Sequence, residues 1–225
     1  MSSEPVPTPS RPGPRPRYTR EQVFETALTV IDHEDPDAFT MRRLADELGM
    51  GVMTLYGYVR NKDEVVEGVT AVAFAQLHRD TPAGATWEDL VRTEIEQLYE
   101  VSRRHPHLVT LILSQRSATP GMFRLRERIL GTLLDAGFDQ TRALHVLGIL
   151  ISYALGFAGL RAGPAPIDLP ERIGELPARA FPHLHEAAGQ YAAHVSDEAF
   201  DYGLGVLLRG LGADFVAGLG RRRSP

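Results

Sequence analysis

The sequence contains no cysteine, and this absence removes several classes of function at once. Disulfide bonds, thiolate metal sites and a cysteine nucleophile are excluded, and the composition suits a reducing compartment. Aromatic residues are sparse at 8%, whereas apolar residues reach 43% and charged residues 24%, as in ordinary globular proteins. We therefore expect a cytoplasmic protein of one or two domains with a sizeable core.

An excess of positive charge is also missing. The formal net charge is −5, and acidic residues slightly outnumber basic ones even within residues 1–62. A protein that binds a polyanion through bulk charge would be basic. Any nucleic-acid surface must therefore arise from a local arrangement, in which Arg42, Arg43, Arg60 and Lys62 face the phosphates.

The N-terminal segment lacks the apolar run of a secretion signal. Residues 1–17 are rich in proline, serine and arginine, a composition that predicts a disordered tail. Two interpretations of Arg11, Arg15 and Arg17 stay open. They are either solvated, or they follow the minor groove of DNA as basic arms do.

Long hydrophobic runs are scarce, and the longest uncharged one extends from Ala143 to Leu160. Its length only reaches the lower edge of a membrane span, it contains glycines and a histidine, and charged residues flank it closely. A helix that is apolar on every side is also typical of a subunit interface. We expect a buried helix and no membrane contact, with a membrane-associated helical protein as the alternative.

The stretch from Thr40 to Lys62 has the layout of a helix-turn-helix unit. Thr40 is suited to cap a short amphipathic helix, and Gly49 is suited to end it in a left-handed conformation. A second short helix follows Gly51. Such a layout places the second helix in a DNA major groove, although glycine between two amphipathic helices is also common in other all-helical proteins.

The same stretch resembles the DNA-binding domain of TetR-family repressors. The likeness covers residues 18–75 and is carried by Thr54-Leu55-Tyr56, Tyr58-Val59 and Asn61-Lys62. From Trp87 to Arg161 the chain resembles, more loosely, the C-terminal domain of the tetracycline repressors of this family. The resemblance implies a ligand-responsive transcriptional repressor that binds a double-stranded DNA operator and is released by a small molecule.

The resemblance also implies roles for individual side chains at the DNA end. Arg42 corresponds to an arginine that contacts guanine, with a phosphate contact or a solvated side chain as alternatives. Thr54, Tyr56 and Lys62 correspond to residues that hold the phosphate backbone, although Tyr56 would otherwise pack inside the three-helix unit. Tyr58 stands where the tetracycline repressors have histidine and would contact a phosphate or a base edge.

Three positions depart from the tetracycline repressors. Val52 and Met53 replace glutamine and proline, and Gly57 replaces a bulky aromatic residue. Apolar side chains in the major groove contact thymine methyl groups, so we expect an operator of different sequence. The expected DNA-binding residues are Thr40, Met41, Arg42, Gly51, Val52, Met53, Thr54, Tyr56, Gly57, Tyr58 and Lys62.

The C-terminal half has no catalytic constellation: a phosphate-binding glycine loop and a nucleophile elbow are both missing. We therefore expect no enzyme activity. The resemblance points to His78 and Glu94 as ligand-binding residues, each of which would otherwise face solvent. The metal-binding histidine of the tetracycline repressors aligns near Ile112 or Leu113, and their pocket glutamate near Leu160. We expect neither a metal nor a cofactor, and an apolar effector of unknown identity.

Helical periodicity without any strand pattern predicts an all-α fold, in which Thr19, Asn61 and Thr86 cap the starts of helices and Gly137 ends one. The expected divisions are the tail 1–17, a helix-turn-helix domain with a connecting fourth helix over 18–79, and a larger ligand-binding and dimerisation domain over 80–225. A proline- and glycine-rich stretch over 162–182 predicts a loop.

A single helix-turn-helix unit buries little surface, so we expect a homodimer that places two units on a palindromic operator. The expected interface is formed by the eighth helix, which contains the long apolar run, and by the tenth and last helix, which begins after Ser196. The alternative is an all-helical small-molecule-binding protein or enzyme with a degenerate DNA module.

Overall fold

The computed structural model describes residues 17–76, 84–114, 120–161 and 169–222, and every regular element in these ranges is helical, as predicted. Eleven α-helices lie in the described ranges, together with short 3₁₀ segments at Pro36–Ala38 and Ala188–Val195. The helices are α1 (Arg20–His33), α2 (Met41–Glu47), α3 (Val52–Leu55), α4 (Lys62–Ala75), α5 (Trp87–Arg104), α6 (Pro106–Ser114), α7 (Pro120–Asp135), α8 (Gln140–Arg161), α9 (Leu169–Gly174), α10 (Pro182–Ala187) and α11 (Asp197–Arg222).

Side-chain caps fix the starts of the principal helices, where the first amides of a helix have no partner within it. The Thr19 hydroxyl accepts from the Gln22 amide at 3.1 Å, and the Gln22 side chain accepts from the Thr19 amide at 2.8 Å. Thr86 and Asp89 form the same capping box at the start of α5. Asn61 caps α4 by accepting from its third amide at 2.8 Å. These predicted starts are confirmed.

The N-terminal core is formed by α1 to α4 and also includes residues from further along the chain. Leu108 and Leu111 of α6 and Val101 of α5 are buried in it beside the apolar faces of the first four helices. Helices α1 and α4 approach closely at Gly68, where a Cβ atom would overlap the ring of Phe24. The helix-turn-helix unit therefore shares its core with α5 and α6.

The C-terminal core lies between α5, α7, α8 and α11. An aromatic cluster fastens α11 to α5 and α8. The rings of Tyr99 and Phe200 are stacked with centroids 3.8 Å apart, and Phe157 meets Phe200 edge to face at 5.6 Å. The Tyr153 hydroxyl donates to the Phe200 carbonyl at 2.8 Å, which satisfies the polar end of a partly buried ring.

Two kinds of contact join the cores. Phe74 of α4 and Ile112 of α6 each pack against both of them. In addition, Nδ1 of His105, between α5 and α6, lies 2.8 Å from a carboxylate oxygen of Asp32 on α1. Nδ1 of His107 lies 3.1 Å from a main-chain carbonyl of α1. The N-terminal unit is thus docked on the α5–α6 junction.

The structure defines the boundaries more closely and corrects one predicted loop. Helix α3 ends at Leu55, although the Val59 amide still donates to the Leu55 carbonyl at 3.1 Å. The predicted loop over 162–182 contains helix α9, because Pro170 at its second position loses no helical hydrogen bond and Ile173 finds a buried place. The last helix is therefore α11. The predicted extension of α4 beyond Gln76 lies outside the described residues.

Helix α8 is long and apolar enough between Gln140 and Leu160 to pass a length-and-composition test for a membrane span, alone among the helices of the described ranges. Core helices pass the same test, and this helix buries one side against α5, α7 and α11. Its opposite side is exposed and carries Leu144, Ile149 and Leu160.

Candidate DNA interface and effector cavity

The start of α2 presents an unpaired arginine. Thr40 caps this helix, its hydroxyl accepting from the Arg43 amide at 3.1 Å, and Met41 packs against the N-terminal core. Arg42 is exposed and makes no hydrogen bond or ion pair within the described ranges. An arginine with all its donors free is suited to a guanine edge or a phosphate.

Helix α3 divides its side chains between the core and solvent. Gly51 precedes it as the N-cap, Val52 is half-buried against the core, and Met53 is 82% exposed. Thr54 and Tyr56 are also exposed. Of the two apolar residues expected to contact thymine methyl groups, Met53 alone projects freely. Glycine suits position 57, because a Cβ there would lie 3.1 Å from a main-chain oxygen of α3.

Polar contacts with the main chain hold this surface in place. The Lys62 ammonium donates to the Phe39 carbonyl at 2.7 Å and lies 5.4 Å from the centroid of its ring, just before α2. The Tyr58 hydroxyl accepts from the Tyr18 amide at 3.4 Å, and the Tyr18 hydroxyl donates to the Leu48 carbonyl at 3.0 Å. The expected phosphate contacts of Lys62 and Tyr58 must therefore coexist with these internal bonds.

Two of the four cations expected to face phosphate are paired with carboxylates. Arg43 bridges Glu34 at 2.7 Å and Glu47 at 2.8 Å, and the hydrogen bonds to these carboxylates raise the pKa of Arg43. Arg60 pairs with Glu64 at 3.1 Å. A phosphate contact by either arginine must therefore compete with these carboxylates, and Arg60, whose side chain is 86% exposed, stays accessible.

Glu64 holds three parts of the unit together. Its carboxylate accepts from the Arg60 amide at 2.6 Å and pairs with Arg20 of α1. The Arg60 amide hydrogen bond is the main reason why the pKa of Glu64 is lowered. This ion pair links the start of α4 to α1 and positions the turn that follows α3.

The C-terminal half contains a cavity of about 590 Å³ between α4, α5 and α7. This volume lies within the range of small-molecule sites. Its walls combine apolar and polar side chains: Thr70, Ala71, Phe74 and Ala75 from α4, Leu90, Thr93, Glu94 and Gln97 from α5, and Gly121, Arg124, Arg128 and Thr132 from α7.

Glu94, expected as a ligand-binding residue, lines this cavity. It forms a bidentate ion pair with Arg128, with distances of 2.6 and 2.7 Å, and this pair raises the pKa of Arg128. The Gln97 amide donates to the Phe74 carbonyl at 2.9 Å and so joins α5 to α4. His78, the other expected ligand-binding residue, lies outside the described residues.

Sequence reasoning missed Arg124 and Arg128. They are four residues apart on α7, so they share one face of this helix. In the sequence this face looks like the polar side of an amphipathic helix. Only the packing of α7 against α5 shows that this side borders a cavity. No group of metal-binding side chains occurs in the described ranges.

Comparisons with known proteins agree with this geometry. Residues 23–69 match the family model described as "Bacterial regulatory proteins, tetR family". Residues 80–215 match the model described as "Tetracyclin repressor-like, C-terminal domain", which covers more than half of the chain. The first match covers the helix-turn-helix unit, and the second covers α5 and α7, which form two walls of the cavity.

Individual relatives are similar over nearly the full length. An HTH-type transcriptional regulator of Saccharopolyspora erythraea is 26% identical over 219 residues, which cover 91% of this chain and 88% of that protein. The class E tetracycline repressor protein of Escherichia coli is 29% identical over 199 residues, covering 88% of this chain and 92% of that protein.

Solved structures of ActR from Streptomyces coelicolor share the fold. Apo ActR superposes with a TM-score of 0.72 at 27% identity, over 93% of this chain and 100% of that one. ActR in complex with actinorhodin gives a TM-score of 0.68 at 27% identity, over 88% and 99%. With both family models matched in chain order, the chain belongs to the TetR family of bacterial transcriptional regulators.

Proposed function

We propose that this chain is a homodimeric, ligand-responsive repressor that leaves a palindromic operator when a small molecule occupies the α4–α5–α7 cavity. ActR, its structural relative, has been solved with actinorhodin, which supports a small-molecule effector for this chain too. The proposed division of the chain falls between residues 79 and 80, near the edges of the two family matches. We further propose a cytoplasmic, non-enzymatic protein that contacts no membrane.

Helix α4 is the observation that carries this proposal. One side of it is buried in the N-terminal core through Val65, Val66 and Val69. Its C-terminal half forms a wall of the cavity through Thr70 and Phe74. A ligand in the cavity therefore touches the same helix that supports the DNA-binding surface.

Ligand binding would act by changing the population of two arrangements of the dimer. A ligand that fits one arrangement better shifts the equilibrium towards it. If α4 moves with the cavity wall, the two α3 helices no longer match half-sites one helical turn, about 34 Å, apart. Operator affinity then falls without any direct contact between effector and DNA.

The proposed dimer interface is the exposed side of α8 together with α11. Ile149 is 44% exposed on α8, and Tyr202 is 74% exposed on α11. Gly148 and Gly156 share the exposed side of α8, and a Cβ at either would meet no atom of the chain. Small residues between apolar ones let helices of two subunits approach closely across a two-fold axis.

A mobility-shift assay with the DNA upstream of the protein's own gene tests the proposal. We expect a specific complex that survives competitor DNA and contains two protein chains. A correctly folded dimer that shows no sequence preference at low salt would contradict the repressor function and favour a small-molecule-binding protein with a degenerate DNA module.

A further inference from the structure

The charges in the effector cavity do not balance. Its lining holds one carboxylate, on Glu94, and two guanidinium groups, on Arg124 and Arg128. Glu94 and Arg128 neutralise each other, because both carboxylate oxygens of Glu94 accept hydrogen bonds from the Arg128 guanidinium group. This leaves Arg124 as an uncompensated cation at the wall.

Arg124 is exposed beside the cavity and has no partner in the described ranges. It makes no hydrogen bond or ion pair with any residue in the described ranges, whereas its neighbour Arg126 donates to a main-chain carbonyl of α7 at 3.4 Å. A free guanidinium beside a cavity attracts an anionic group and can form a bidentate pair with a carboxylate.

The other polar groups of the wall are mostly acceptors. Thr70 is fully buried, but Thr93 and Thr132 are partly exposed, and their hydroxyls donate to carbonyls of their own helices at 2.9 Å. These two hydroxyl oxygens therefore keep lone pairs for an outside donor. Phe74 and Leu90 supply apolar surface between them.

We propose that the effector is an amphipathic anion: an apolar or aromatic body that carries a carboxylate or another acidic group, which pairs with Arg124. This inference rests on the proposed function, since it names the chemical class of the effector. It sharpens the expectation of an apolar ligand by adding a charge that the cavity selects. Hydroxyl groups on the same molecule would donate to the threonine oxygens.

Two fluorescent probes with the same ring skeleton test the charge. One is 8-anilinonaphthalene-1-sulfonate, an anion, and the other is N-phenyl-1-naphthylamine, which lacks the sulfonate. Affinities are measured by fluorescence titration of the full-length protein. We expect Arg124→Gln to weaken binding of the anionic probe about tenfold, as for loss of a charged hydrogen bond. The neutral probe should be unaffected.

Two further variants locate the effect in the cavity. Arg126→Gln removes an arginine on the same helix that does not line the cavity, and we expect no change for either probe. Glu94→Gln frees Arg128 from its partner and should strengthen binding of the anionic probe. If Arg124→Gln lowers the affinity for the anionic probe and Glu94→Gln raises it, the probe binds in the cavity and is not adsorbed non-specifically.

Unchanged affinity of the anionic probe in Arg124→Gln would overturn the proposal, as would an equal loss for both probes, since that would reflect shape rather than charge. Thermal unfolding of each variant shows whether the fold is kept. The titrations contain no DNA, so failure of this inference is observed separately from failure of operator binding.

Discussion

The two functional ends of the molecule hold their polar side chains in different ways. At the DNA end, most partners are close in sequence or belong to the main chain: Arg43 pairs with Glu47 on the same helix, and Lys62 donates to the Phe39 carbonyl. The pair between Arg20 and Glu64, which joins α1 to α4, is an exception. In the cavity, the principal pair joins Glu94 to Arg128, across two helices.

This difference matches the tasks that we propose for the two ends. A surface that must fit a fixed groove benefits from local and main-chain contacts, which set its geometry independently of a ligand. A cavity that must respond to a ligand benefits from side-chain pairs between separate helices, because a bound anion can compete for them. Helix α6, which is buried in the N-terminal core, ties the two regions together.

The largest expected effect is a loss of stability from a cavity-forming substitution where α6 enters the N-terminal core. Leu108 is fully buried, and Leu108→Ala should cost about 2–5 kcal/mol of unfolding free energy, as for other large-to-small core substitutions. Hydrogen exchange measured by mass spectrometry should then rise in α1 and α4, although the substitution lies outside the helix-turn-helix unit.

Leu125→Ala is the matched control, because Leu125 is equally buried but belongs to the C-terminal core. Its exchange should rise in α5 and α8 first. If both variants raise exchange in the same helices, the two cores unfold as one unit and the distinction between the regions is wrong.

Breaking the proposed dimer interface should have the next largest effect. Ile149→Asp places a charge where two copies of α8 would meet, so we expect monomers and about 100-fold weaker operator binding, because one half-site supplies limited affinity. Leu134→Asp is the control, an exposed apolar residue on α7, which is not part of the proposed interface. Light scattering and mobility shift measure both properties, and dimeric Ile149→Asp would place the interface elsewhere.

Adjacent arginines on α2 offer a direct test at the DNA end. Arg42→Ala should weaken operator binding by about 1–3 kcal/mol, as for loss of a base contact, and leave the melting temperature unchanged. Arg43→Ala removes the ion pairs with Glu34 and Glu47, so we expect a slightly lower melting temperature. Its operator affinity should be unchanged. Equal losses of affinity would show that both arginines face DNA.

Local signals made the helices and the helix-turn-helix unit predictable. Thr19, Asn61 and Thr86 cap the helices that their spacing predicts, and Gly49 and Gly137 adopt the positive φ expected at helix ends. These features depend on a few neighbouring residues, so one sequence is enough to recognise them.

The cavity was only partly predictable. Glu94 was indicated by resemblance alone, and its partner Arg128 is 34 residues away, so that no local pattern joins them. Helix α9 was missed because a proline-rich composition hid one short helix. At the DNA end, the pairs of Arg43 with Glu47 and of Arg60 with Glu64 have an i, i+4 spacing that the sequence shows. The pairs Arg43–Glu34 and Arg20–Glu64 join separate elements and became evident only from the packing.

The smallest expected effect concerns pH. The folded state lowers the pKa of Glu64, mainly through the Arg60 amide, so the carboxylate contributes stability above its unfolded pKa of about 4.3 and loses it as the pH falls through the folded value. Glu64→Gln should therefore be less stable than the wild type at pH 7, by at most about 1 kcal/mol because its arginine partners are exposed, and this difference should shrink as the pH falls through the folded pKa.

Chemical denaturation at pH 7 and at a series of lower pH values measures this difference, with Glu25→Gln, at an exposed carboxylate on α1, as the control. A Glu64→Gln deficit that does not shrink with falling pH would mean that shape, rather than charge, holds α1 to the start of α4. The DNA-binding surface would then depend on packing in the same way as the C-terminal core, and the contrast between the two ends would weaken.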